Sequence, residues 1–369
     1  MKRCMKKSLC AMAALCCAAL LCACAAPVAL GEVAKVEAAP LPVASSAFVQ
    51  TQDAKLPAWQ LAGERPLSAW AAYWDTGDVL AELSPIASRL GTLCYFEAYF
   101  AHDGALTVPD TLTALYGAVE AAYPSHRWES YLTFVNDWQL ADGSFDLKSM
   151  TPLKAVLADT AAMDAHIAAL VEFTASRGFD GLEIDYEALR KAPELWDAFA
   201  VFCARLYGAA QEAGLGLRVV LEPIAPFESV AFPAGPTYVV MCYNLHGGHS
   251  KPGPKADFDF LSSLMEKSAF LPGDPVFALA TGGYDWDAAG DATQVTLQKA
   301  LALYEERGKG TPIRDGASGA VAFRYTDENG KVHTVWFADS RTLTMWAEAL
   351  ARAGYARVSY WRLGGNFYA

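Results

Sequence analysis

The chain has 369 residues, of which 53% are hydrophobic and 19% charged, a composition that supports a sizeable buried core and excludes a disordered or fibrous chain. Its formal net charge is −12. Phosphate contacts need Lys and Arg, so nucleic acid is not an expected partner, whereas a neutral substrate is compatible with that charge.

Residues 1–23 open with Lys2, Arg3, Lys6 and Lys7 and continue as an apolar run. A basic start, a short apolar centre and a small-residue end make a secretory signal peptide. The run is shorter than the roughly 20 apolar residues a membrane span needs. Within it "LCAC" (21–24) resembles a bacterial lipobox, which makes Cys24 the lipidated first residue of the mature protein. Cys22 stands where a small or hydroxylated residue is usual, and ordinary cleavage near Ala25 is the alternative. The expectation is an exported monomer, lipid-anchored at the cell membrane and facing outside the cytoplasm, or else secreted. The leader removes four of 29 basic residues and no acidic ones, leaving 25 against 41, or −16. Beyond Cys24 only Cys94, Cys203 and Cys242 remain, an odd set whose spacing fits neither zinc nor a disulfide framework. Buried free thiols are expected. Residues 24–62, rich in Ala, Pro and Val without periodicity, read as a tether. Residues 63–369 read as the folded domain.

From there the chain alternates. Apolar, β-branched or aromatic runs at 69–74, 92–99, 131–135, 181–185, 217–221, 238–243, 276–281 and 357–361 predict strands. Helical spacing appears at 111–123, 161–178, 195–214 and 341–354, the last three ending at a glycine. Strand and helix repeated to a count of eight predict a parallel (β/α)₈ TIM barrel, with an open doubly wound sheet as the alternative. Residues 320–337, with Asn329-Gly330 at the turn, predict a small antiparallel hairpin inserted between barrel strands seven and eight.

The chemistry concentrates in "GFDGLEIDYEAL" (178–189), where Glu183, Asp185 and Glu187 occupy every second position. Alternate residues of a strand share one face. A parallel strand covered by helices sends Leu182, Ile184 and Tyr186 outward and the three acids into the barrel. Burying unpaired carboxylates costs several kcal/mol each, at roughly the scale set by transfer measurements, so the row needs a purpose. A solvated strand face or a divalent-metal cluster are alternative readings. The third is acid catalysis: neighbouring carboxylates cannot all ionise, so protons are shared. Glu187, nearest the C-terminal mouth, is then the acid kept protonated.

"FDGLEIDYE" resembles the DGxDxDxE signature of glycoside hydrolase family 18, the chitinase-like barrels. "MCYN" (241–244) looks like that family's M-x-Y-D/N, "PGP" (252–254) follows it, and "VSYWRLGGN" (358–366) is similar to its eighth-strand end. The segment "FRYTDENGKVHTVWFADSRTL" resembles the hairpin of the branch containing bacterial spore and cell-wall hydrolases. The likeness spans roughly residues 66–369. It implies Glu187 as general acid/base, Asp185 as the group orienting the substrate's N-acetyl group, and Tyr243 as hydrogen-bond donor to the acetamido oxygen, with Asn244 beside it. Trp361 becomes the floor under the sugar at the cleavage point, and Asp180 the first acid of the signature. The substrate's own acetamide is the nucleophile, with retention and no metal or organic cofactor. Glu183 departs from the family's Asp by one methylene, which bears on rate and pH optimum more than on reaction type.

The expected substrate is an N-acetylglucosamine-containing glycan: chitin oligomers, peptidoglycan or an N-glycan core, cleaved at β-1,4 links. A non-catalytic glycan-binding barrel is the rival, although such members usually lack the acid that Glu187 supplies here. Further candidates for sugar contact are Trp138 and Trp286 by stacking, and Asp137, Glu222, Asn136 and Glu97 by hydrogen bonding. Tyr73, Trp74, Phe96 and Tyr99 are aromatics near strand ends. His246 and His249 have a metal-like spacing, but their Gly-rich flanks favour a loop.

Overall fold

A computed structural model describes residues 67–366. The leader, Cys24 and the tether lie outside the described residues. Eight parallel strands close on themselves: β1 (Leu67–Ala72), β2 (Leu90–Phe100), β4 (Glu129–Gln139), β6 (Gly181–Asp185), β7 (Gly216–Leu221), β8 (Thr237–Met241), β9 (Val276–Ala280) and β15 (Val358–Leu363). Each pairs with the next in that order, and β15 returns to β1. Short return strands, β3 (Leu106–Thr107) and β5 (Phe145–Asp146), extend β2 and β4 at the mouth.

Outside run α1 (Thr76–Leu83), α2 (Asp110–Ala122), α3 (Met150–Val156), α4 (Thr160–Ala175), α5 (Trp196–Glu212), α6 (Phe258–Ser268) and α8 (Ser340–Arg352). Three start at an aspartate that caps a free main-chain N–H: Asp159 accepts from Ala162 at 2.9 Å, Asp257 from Phe260 at 2.7 Å and Asp339 from Thr342 at 2.8 Å. The fold is a (β/α)₈ barrel. Between β7 and β8 the described chain turns without a regular helix.

Period-two alternation sorts the strand residues into two apolar clusters. Leu182, Ile184, Leu217, Val219 and Val240 face the helices, whereas Trp70, Cys94, Val220, Val239, Met241 and Ala278 fill the barrel. Near its base Tyr131 crosses the interior so closely that a Cβ on Gly216 would lie 1.8 Å from its hydroxyl oxygen, so only glycine fits there. Cys94, Cys203 and Cys242 are buried free thiols.

The predicted hairpin is part of something larger. Residues 282–338 form a five-stranded antiparallel sheet between the seventh and eighth barrel strands. Its strands are β10 (Gly282–Trp286), β11 (Ala292–Val295), β12 (Gly308–Arg314), β13 (Val321–Thr326) and β14 (Val332–Ala338), ordered β11-β10-β14-β13-β12. Helix α7 (Leu297–Arg307) covers one face through Leu297, Ala300 and Leu301 against Val321, Phe323 and Val335. The other strands escaped prediction because β10 follows β9 almost without a break, and β11 and β12 are polar or Gly-rich edges lacking clean alternation.

Candidate active site

β6 delivers Asp185 at its end, and the backbone beyond it is held on two sides. The buried Asn136 amide donates to the Glu187 carbonyl at 3.0 Å and accepts from the Glu187 N–H at 2.8 Å. It also donates to Ser149 O at 3.0 Å. On the other side Glu222 accepts from the Ala188 N–H at 2.7 Å, where the chain passes through a left-handed conformation at φ 64°. The Glu187 side chain meets the ammonium of Lys148. Lys148 is itself at φ 53°, its N–H donating to Asp137 at 2.7 Å.

Burial lifts the Asp185 carboxyl well above the usual range, reinforced by the charges of Glu187 and Glu183 and opposed by Lys148. Its Oδ1 is buried without a hydrogen-bond partner. Burial also raises Glu187, with Lys148 pulling the other way. Glu97, in the C-terminal half of β2, is pushed up to about 8 by burial and then by Asp137 and Glu187. Burial raises the Tyr243 hydroxyl well above its ordinary value, with the same acids adding to it, so this group stays a proton donor at neutral pH.

Around the ring Trp361, on β15, stands half a turn from β6, and Tyr243, just past β8, lies midway between them. The Trp361 carbonyl is pinned by the Thr281 N–H at 2.8 Å, and its ring packs edge-on against Phe96 at 4.7 Å and Trp70 at 5.7 Å. Trp74, 47% exposed, continues this aromatic set through Phe96 at 5.9 Å. On the Glu187 side opens a cleft of about 510 Å³ lined by Lys148, Glu187, Glu222, Asn244, His249 and Tyr284 among others. The mouth thus brings together Asp185, Glu187, Glu222, Tyr243 and Asn244, with Trp361 across from them.

Five residues expected to contact ligand already have protein partners. Glu183 is fully buried and already engaged by side chains of three other strands: Arg218 Nε at 2.7 Å, Trp70 Nε1 at 2.6 Å and Thr133 Oγ1 at 2.8 Å. Its carboxylate is held in an ion pair inside the barrel, which leaves Asp185 and Glu187 as the acids of the row at the mouth. Asp180 precedes β6 at the opposite end of the barrel and accepts from the Ser130 N–H at 2.8 Å. Trp286 is 1% exposed and packs with Ala320, Ala322 and Trp336 of the insert. Trp138 packs on the outer cluster and donates to Ala101 O at 3.2 Å. Asp137 is occupied by the Lys148 N–H.

Sequence reasoning missed Lys148 and Tyr284. Lys148 lies in a polar loop with no spacing signal, and Tyr284 adjoins the tryptophan that was chosen in its place. No group of three or more His, Cys, Asp or Glu side chains among the described residues is placed to hold a metal ion.

Fold and site together define an acid-bearing (β/α)₈ barrel. No protein-family model matches the chain. It is similar to the cortical fragment-lytic enzymes of Bacillus subtilis (strain 168), 25% identical over 225 residues (54% of this chain, 49% of the relative), and of Bacillus cereus, 26% over 234 residues (58% and 53%). The chain thus spans about half the length of these curated relatives. Among solved structures, the Bacillus megaterium QM B1551 spore cortex-lytic enzyme SleL matches with a TM-score of 0.67 at 20% identity, covering 83% of this chain and 72% of that one. A chitinase from Chromobacterium violaceum ATCC 12472 matches at 0.66 and 22% identity, covering 82% and 95%. These structural likenesses establish the barrel fold.

Proposed function

We propose that the chain is a glycoside hydrolase that cleaves β-1,4 links of N-acetylglucosamine-containing glycans by substrate-assisted, retaining catalysis. The observation that carries this reading is the pairing of Asp185 and Glu187 at the mouth, with Asp185 Oδ1 buried and unpartnered. The names of two similar proteins, a chitinase and a putative sporulation-specific glycosylase, agree with it.

In this reading a sugar stacks on Trp361 and its acetamido N–H supplies the partner of Asp185. Glu187, protonated, donates to the glycosidic oxygen as the C1–O bond breaks and the acetamido oxygen closes on C1. Tyr243 donates to that oxygen, and the Asp185 carboxylate balances positive charge on the ring formed. Water then attacks C1, and Glu187 recovers its proton from it. No step calls on a metal or organic cofactor. The same proposal has the chain exported as a monomer and held at the membrane through lipidated Cys24.

Glu187→Gln tests it. Because positioned general acids contribute about 10²–10⁴-fold, the variant should lose at least a hundredfold in kcat on N-acetylchitotetraose while retaining the circular dichroism spectrum and ligand binding of wild type. Binding by wild type without any new reducing ends points instead to a glycan-binding barrel.

A further inference from the structure

We propose that Lys148 is a specificity residue that senses a carboxylate on the leaving-group sugar and, by moving to it, frees Glu187 to act as an acid. The inference rests on the glycosidase reading above and deepens it by naming an anionic glycan as substrate. It starts from a conflict of charge. Glu187 must carry a proton to cleave, yet Lys148 contacts its carboxylate and stabilises the ionised form. Drawing the ammonium away would leave burial and the neighbouring acids unopposed in favouring the protonated form.

The cleft around this pair supplies the reason. In a chain with 41 acidic and 29 basic residues, Lys148, Arg190, Lys191 and His249 all line one cavity. Trp361 is not part of that cavity and stands across the barrel, so the cavity lies beyond Glu187 from the stacked sugar. Glu187 protonates the oxygen that joins the stacked sugar to its neighbour, so the cavity is where the leaving group sits. The Lys148 side chain is 46% exposed and the Arg190 side chain 52%, so both reach solvent and can swing, and Arg190 is held only loosely to Glu222 at 3.4 Å. An anionic substituent there meets the three cations Lys148, Arg190 and Lys191 and competes with Glu187 for the nearest.

Facing Glu187 are Asp185 from its own strand, Glu97 and Asp137 from β2 and β4, Glu222 after β7 and Tyr243 after β8. Lys148 is the cation in contact with it. When Lys148 leaves it keeps its proton; Glu187 takes one from solvent and passes it to the glycosidic oxygen. Burial and the surrounding acids then favour the protonated carboxyl.

The test compares two tetrasaccharides in which N-acetylglucosamine alternates with its 3-O-lactyl ether, one with free carboxylates and one with those carboxyls converted to amides. A charge-assisted contact is worth about 10-fold or more, so wild type should favour the carboxylate form by that factor in kcat/KM. The kcat profile reports the bound complex. Displacing Lys148 raises the Glu187 pKa, so its basic limb should lie at higher pH with the carboxylate than with the amide. Lys148→Met should abolish both the preference and the separation, and Lys148→Arg should restore the preference. Equal turnover of the two substrates, with superimposed basic limbs, overturns the proposal and leaves the glycosidase reading standing. Failure of wild type to cleave either one, or N-acetylchitotetraose, overturns both.

Discussion

Asn136 is the residue on which the geometry of the mouth most depends. One side chain, 1% exposed, holds both main-chain polar groups of Glu187 and the carbonyl of Ser149, which follows Lys148. It therefore positions the acid and its cation together. Asn136→Ala leaves three buried polar groups without this partner and should lower unfolding free energy by about 1–3 kcal/mol in urea titrations. It should also lower kcat roughly tenfold, because a misplaced acid loses its alignment. A folded variant with wild-type kcat would detach Asn136 from the site. The sequence marked Asn136 only as a polar residue near a strand end, since a hydrogen bond to a main chain 51 residues away leaves no local pattern.

At the scale of the element, β6 shows why period-two reasoning reached so far. Leu182 and Ile184 go to the helices and Glu183 and Asp185 go inward, as alternation alone requires. Alternation says which face a side chain takes and nothing about its partners, so the Arg218 ion pair that anchors Glu183 was invisible. Arg218 is the register neighbour of Glu183 on β7, in a run that reads as apolar. Removing one partner of a buried pair costs about 3–5 kcal/mol, so Arg218→Met should destabilise by that much in guanidinium titration. The double variant Glu183→Leu with Arg218→Met should recover most of it, because no charge is then left alone. A double variant less stable than Arg218→Met would show that the pair is not what holds this layer. The insert illustrates the opposite limit: β13 and β14 alternate and were legible, whereas β11 and β12 gain their strand form only from the neighbours they pair with.

Across the whole molecule, the cluster of buried acids ties stability to pH. Glu97 has a folded pKa of about 8 against an ordinary 4.5, raised by burial first and then by Asp137 and Glu187. A raised carboxyl favours the protonated fold, so its contribution is complete below about 4.5 and is lost as pH rises through about 8. Asp185 and Glu187 shift in the same direction. Between pH 5 and 8, wild type should therefore lose on the order of a few kcal/mol relative to Glu97→Gln, read by denaturant melts at matched ionic strength. Parallel stability profiles of the two would mean that Glu97 is not held protonated. Closure of the barrel was legible from eight strand-like runs with helical spacing between several of them, but the depth at which each acid lies depends on registry among strands, which no single segment encodes. Proton NMR of N-acetylchitotetraose during the first minutes of incubation with wild type examines the Asp185–Glu187 chemistry most directly. Early products should carry the β-anomer at their new reducing ends; α-anomers appearing first, or no new reducing ends at all, would contradict it.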